Sequence, residues 1–191
     1  MSKTKLELTW IGKDKRPKLE PRILLEDPSK SYHASQKVTE NDLFDNKLII
    51  GDNLLALKAL EQEYTGKVKC VYIDPPFNTG SAFDHYDDGL EHSIWLSLME
   101  QRLNIISKLL AEDGCIFVHL DDNELDYLKV LMDGIFGRDN FVSRITIEAR
   151  APSAFSTVNA GVFKASEYIL WFAKDKSKFN ENRLRTKREP T

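Results

Sequence analysis

The stretch Val68-Lys69-Cys70-Val71-Tyr72-Ile73-Asp74-Pro75-Pro76-Phe77-Asn78-Thr79-Gly80 reads as a buried strand that ends in a rigid turn. Val68 to Ile73 has the length and composition of a strand, and the prolines stop it because they cannot donate to a ladder. Two consecutive prolines also fix φ, so the carbonyls of the turn face outward as acceptors in a set geometry. Asp74 places a carboxylate beside them and Phe77 an aromatic ring. Two acceptors next to a ring suit a planar group with an exocyclic amine, one acceptor for each hydrogen and the ring for its face. A nucleobase meets that description. The same residues also allow a plain strand-end turn in which Asp74 caps neighbouring backbone.

On either side of this turn the pattern alternates between strands and helices. Upstream, Leu48-Ile49-Ile50 predicts a buried strand, Gly51-Asp52-Asn53 a turn, and Leu54, Leu55, Leu57 and Leu60 one face of a helix. Downstream, Asn78 to Glu91 is a polar loop. His92 to Glu112 then carries Ile94, Leu98, Arg102, Ile105 and Leu109 at helical spacing, with Asp113-Gly114 as its stop. Cys115 to Leu120 is a third strand. Asp121 or Asp122 can cap the next helix, whose apolar face is Leu125, Leu128, Leu131, Met132 and Ile135 and which Gly137 closes. Phe141 to Ile147 and Tyr168 to Ala173 are two more strands, and the loop joining them is long enough to suggest function. Trp95, Tyr168, Trp171 and Phe172 read first as core. The order β-α-β-α-β with continuous apolar strands implies an α/β fold, a mostly parallel sheet with helices on both faces. Such sheets bind ligands beyond the carboxyl ends of their strands, where Asp52, Asp74 and Asp121 would line one rim.

The 191 residues are 41% hydrophobic and 30% charged, enough for one main domain burying roughly 70% of its unfolded surface. No apolar run approaches the ~20 residues of a membrane span. Met1-Ser2-Lys3-Thr4-Lys5 lacks a signal-peptide pattern, so a cytoplasmic protein with no membrane partner is expected. Cys70 and Cys115 lie inside apolar runs and read as buried reduced thiols. With four scattered histidines they offer no pair at zinc-ligand spacing, and no metal is expected. Residues 1–40, broken by Pro17, Pro21 and Pro28, read as an extended arm anchored by Ile23-Leu24-Leu25. The net charge of -3 hides an asymmetry, because residues 1–22 and 174–191 each hold seven Lys/Arg against three Asp/Glu. Basic ends on an acidic body fit a nucleic-acid footprint or ordinary solvated termini.

With Gly51-Asp52-Asn53 upstream and His92-Ser93-Ile94-Trp95-Leu96 downstream, Asp74 to Gly80 resembles the amino-methylating DNA methyltransferases. It is most similar to the modification (Mod) subunit of type III restriction-modification systems, in the permuted group whose catalytic motif precedes the cofactor glycine motif. Gly114 to Glu124, Ile135-Phe136-Gly137 and Glu167 to Lys174 extend the resemblance over nearly the whole chain. The resemblance implies a partial Rossmann-like methyltransferase sheet. It also implies methyl transfer from S-adenosylmethionine to the exocyclic amine of an adenine flipped out of DNA. On that basis Phe77 stacks on the base, Asp74 and the Pro75 carbonyl accept from its amine, Pro76 completes the motif, and Asp52 with Asn53 binds the cofactor. The family more often has tyrosine where Phe77 stands, which keeps the stack and loses a hydroxyl contact. Asp52 reads equally as a helix N-cap, and Asp121 and Asp122 as a cap before a ligand. His85 and His119 have no partner legible in the sequence. The implied partners are DNA, a restriction (Res) subunit and a second Mod copy.

These 191 residues do not contain the family's Phe-x-Gly-x-Gly loop, since Gly134, Gly137 and Gly161 stand isolated. The expected organisation is an N-terminal arm (1–40), a partial methyltransferase catalytic domain (41–174) and a basic tail (175–191). Truncation before the target-recognition domain and the glycine motif is expected, leaving a chain inactive by itself. Two alternatives stay open. One is a noncatalytic nucleic-acid-binding or assembly module; the other is a metal-dependent phosphotransfer or nuclease domain using Asp52, Asp74 and Asp121. A double proline beside an aromatic serves no metal-ligation need and speaks against the second.

Overall fold

The structure, a computed structural model, describes residues 6–15, 18–32, 36–41, 45–78, 82–83, 86–87, 91–149 and 165–182. Most of the 79–90 loop with His85, the loop residues 150–164, and Arg183, Arg185, Lys187 and Arg188 lie outside the described residues. Asp52 starts the first helix, its Oδ1 accepting from the N–H groups of Leu54 and Leu55 at 3.0 Å each. From there α1 (Asn53–Tyr64) leads into β1 (Val68–Ile73). A short antiparallel pair, β2 (Ala82–Phe83) and β3 (Tyr86–Asp87), precedes α2 (His92–Leu109). The remaining elements are β4 (Leu110–Leu120), α3 (Leu125–Phe136), a 3-10 turn at Arg138–Asn140, β5 (Phe141–Glu148) and β6 (Ser166–Ala173).

The main sheet has the order β1-β4-β6-β5. β1 and β4 run parallel, and β6 is antiparallel to both β4 and β5, so three of its four strands point the same way. The α/β class stands, with a mixed sheet. Between β1 and β4 the chain crosses over through α2, which permits parallel pairing, whereas no described helix intervenes between β5 and β6 and they pair antiparallel.

One face of the sheet carries the core. Ile116, Val118 and Leu120 of β4 and Leu170 and Phe172 of β6 alternate toward Trp95, Met99, Leu103, Leu128 and Met132 on α2 and α3. α1 packs on α2 through Leu54, Ile105 and Leu109. Helices on both faces were expected, but among the described residues the helical core lies against one face. The other presents Tyr72, Phe117, His119 and Trp171, with Phe117 stacked on Trp171 at 5.1 Å.

Packing also revises several local readings. Leu48, Ile49 and Ile50 form no strand and are 89%, 37% and 79% exposed. Apolar content favours burial, but a strand also needs an edge to pair with, and these residues pair with none in the described sheet. Of the expected face of α2, Ile105 and Leu109 are buried against α1, Ile94 is exposed and Arg102 reaches across to α1, while Trp95, Met99, Leu103 and Ile106 form a second buried stripe. The helix thus buries one stripe toward β4 and α3 and part of another toward α1. β4 begins at Leu110, five residues before the expected strand. A register shift between Val68 and Cys70 absorbs the extra residues. Gly114 sits at this bulge, where an added Cβ would lie 2.8 Å from the Val68 carbonyl oxygen. Asp121 does not cap α3; it accepts from Asn123 N–H in a tight turn, and Glu124 occupies the N-cap. Ile23, Leu24 and Leu25 are exposed rather than anchoring, while Leu8, Trp10 and Leu19 pack against the core clusters. Cys70 is exposed and only Cys115 is buried, because Cys70 lies on a strand with one described partner whereas β4 is flanked on both sides.

Candidate active site

The parallel register Tyr72↔Phe117 and Ile73↔Val118 brings the residue after β1, Asp74, level with His119 of β4. Asp74 is 60% exposed, with its Oδ1 3.9 Å from His119 Nδ1. That distance is beyond hydrogen-bond length and leaves the carboxylate an acceptor for something outside the protein. The turn that follows is held from three elements. From α2, the fully buried Trp95 donates its indole N–H to the Pro76 carbonyl at 2.8 Å. From β4, His119 meets the Phe77 ring edge-on, with centroids 5.5 Å apart and planes at 69°. Phe77 is half-buried and packs against the main core cluster. From the start of α3, Glu124 accepts from Asn78 Nδ2 at 2.6 Å, and His92 Nδ1 lies 2.8 Å from the same oxygen. Asn78 has φ of 60°, a left-handed conformation that asparagine adopts more readily than most residues. Glu124 is fully buried, so its carboxylate is a fixed point for the turn.

Asp74, Pro75, Pro76 and Phe77 therefore form one restrained turn at the carboxyl end of β1. Asp121 follows β4 on the same rim, but both its oxygens accept from Asn123. Asp52 and Asn53 belong to a different arrangement. Asp52 caps α1, and Asn53 accepts from Arg102 Nε at 2.7 Å. Asp52, Asp74 and Asp121 do not converge, and among the described residues no group of three or more His, Cys, Asp or Glu is placed to hold a metal ion. No described helix is long and apolar enough to cross a membrane.

Sequence reading missed Trp95, Glu124, His92 and His119 as parts of this site. Trp95 does belong to the core, yet a buried indole N–H needs an acceptor, which was a legible hint. His92, His119 and Glu124 gave no such signal, because their partners are 32 to 48 residues away in the chain.

Residues 68–191 match the family model N6_N4_Mtase, described as DNA methylase. Among curated proteins, the one named "Probable type III restriction-modification enzyme HindVI Mod subunit" from Haemophilus influenzae is 43% identical over 146 residues, covering 76% of this chain and 20% of that protein. The type III restriction-modification enzyme EcoPI Mod subunit of Escherichia phage P1 is 35% identical, covering 92% of this chain and 31% of its own length. The EcoP15I Mod subunit of Escherichia coli is 33% identical over the same shares, 92% and 31%. The chain thus spans a fifth to a third of the length of these relatives. With the matched region beginning at β1 and running through the restrained turn and the whole main sheet, the chain belongs to the DNA methylase family.

Proposed function

We propose that this chain carries the base-binding half of an adenine-specific, S-adenosylmethionine-dependent DNA methyltransferase, the modification subunit of a type III restriction-modification system. The observation that carries the proposal is the Asp74–Phe77 turn, anchored by Trp95, His119 and Glu124 while Asp74 stays open at the rim. An adenine flipped from the duplex loses a few kcal/mol of pairing and stacking. Stacking on an aromatic such as Phe77 returns about 1 to 3 kcal/mol, enough to hold the base out. Asp74 and the Pro75 carbonyl then accept the two amine hydrogens, which keeps the nitrogen lone pair off the ring and available for attack. This is catalysis by positioning, so a turn fixed from three elements suits it.

S-adenosylmethionine, when bound, supplies the electrophilic methyl group. Asp52 fits an amine of that cofactor in part, since both helix N–H groups go to one of its oxygens, Oδ1. Asn53 fits less well, because its Oδ1 already accepts from Arg102. DNA, a Res subunit and a second Mod copy are the proposed partners, in the cytoplasm, with residues 1–40 as an arm, 41–174 as the partial catalytic domain and 175–191 as a basic tail.

The test is a chimera in which residues 1–191 replace the matching segment of the EcoPI Mod subunit. Labelled methyl groups should appear on adenine in DNA, and Asp74→Ala should reduce transfer at least ~100-fold while leaving DNA binding nearly intact. Transfer to cytosine, or full transfer by Asp74→Ala, would overturn the proposal.

A further inference from the structure

His119 projects from β4 on the sheet face away from the helices, and four groups from three elements meet it. Its Nδ1 lies 3.0 Å from the Tyr72 hydroxyl of β1, and its Nε2 lies 2.8 Å from Glu167 Oε2 of β6. Its ring meets Phe77 edge-on at 5.5 Å, and Asp74 Oδ1 stands 3.9 Å from Nδ1. The side chains of His119 and Glu167 are 17% and 19% exposed, against 60% for Asp74. Nε2 is buried and makes no aligned hydrogen bond, so Glu167 flanks that nitrogen at 2.8 Å without bonding to it. The hydrogen bond that holds the ring is the one between Nδ1 and the Tyr72 hydroxyl. The ring is thereby tethered at Nδ1 to β1 and flanked at Nε2 by β6, with no need to draw on Asp74.

We propose that His119, hydrogen-bonded to Tyr72 and flanked by Glu167, is a positioning residue that sets the Phe77 ring for base stacking and holds Asp74 at the rim without occupying it. The proposal rests on the base-binding role given above to Asp74 and Phe77. Imidazole offers Phe77 a ring edge while its Nδ1 hydrogen-bonds the Tyr72 hydroxyl, and alanine offers neither.

The test uses the 191-residue chain in solution, with Phe77 ring chemical shifts and adenosine titration followed by NMR. In the parent chain adenosine should shift the Phe77 ring signals. His119→Ala should move the Phe77 signals toward unfolded-chain values and weaken adenosine binding about five-fold, the scale of one lost aromatic contact. His119→Gln keeps a planar polar group within reach of Tyr72 and should recover part of the affinity. Parent-like Phe77 shifts and parent-like affinity in His119→Ala would overturn the proposal. Where adenosine fails to bind the parent chain, the base-binding reading fails, and His119 is judged by the Phe77 shifts alone. Should His119→Ala not fold, Tyr72→Phe decides: disordered Phe77 signals support the tether, and unchanged signals overturn it.

Discussion

Single residues show how neighbours set chemistry that residue type alone leaves open. Cys70 and Cys115 are register partners on adjacent parallel strands, yet Cys70 faces out and Cys115 is buried. Burial, followed by the neighbouring Cys70, pushes the Cys115 thiol up to about 11. The thiolate is the nucleophile, so at pH 8 iodoacetamide should label Cys70 first and leave Cys115 largely unmodified until the chain is denatured. Mass spectrometry of timed digests checks this, and equal labelling rates in the folded chain would contradict it. Asp74 illustrates the same point from the other side. Its type and its place before two prolines were legible in the sequence, but its freedom at the rim depends on His119, which stops at 3.9 Å. Trp95 was read as core for its apolar bulk, whereas its link to Pro76 emerged from the helix rotation that packing selected.

At the scale of elements, junctions carry the specificity. The β1–β4 pairing tolerates its bulge because Gly114 has no Cβ; an added one would meet Val68 O at 2.8 Å, Ala111 O at 3.0 Å and Lys69 O at 3.1 Å. All three are backbone atoms that cannot swing aside. Gly114→Ala should therefore cost about 1 to 3 kcal/mol, read as a lower urea midpoint with an unchanged slope. The α1–α2 junction carries an ionic link in which Glu61 pairs with Lys58 and, at 3.0 Å, with Lys108. Burial works to raise the Glu61 carboxyl, and the two lysines outweigh it, leaving it below its ordinary 4.5. A lowered folded value means that the stabilisation is complete above about pH 4.5 and is lost as pH falls through the folded value. The melting-temperature advantage over Glu61→Gln should thus be constant at neutral pH and shrink below pH 4.5; an advantage that grows on acidification would refute the assignment.

Across the described residues, one sheet face is packed and the other presents Tyr72, 56% exposed, and Ile145, 38% exposed, while β1 pairs with β4 alone among the described strands. Unpaired edges and open apolar faces favour association. The 191 residues should therefore self-associate with rising concentration in light scattering. They should also show weak or undetectable S-adenosylmethionine binding by calorimetry, because they contain Asp52 but no Phe-x-Gly-x-Gly loop. Micromolar binding by the monomer would mean that other residues build the cofactor pocket. The sequence by itself determined the alternation of strands and helices from Val68 onward, the Asp74–Phe77 turn and the apolar face of α3, because each depends on residues within a few positions of one another. Tertiary structure alone decided that Leu48 to Ile50 form no strand, that β6 runs antiparallel, which residues of α2 face β4 and α3, and that His119, Glu124 and Trp95 surround the turn. Those outcomes depend on contacts between residues far apart in the chain, and a local pattern carries the tendency to be buried without naming the surface that does the burying.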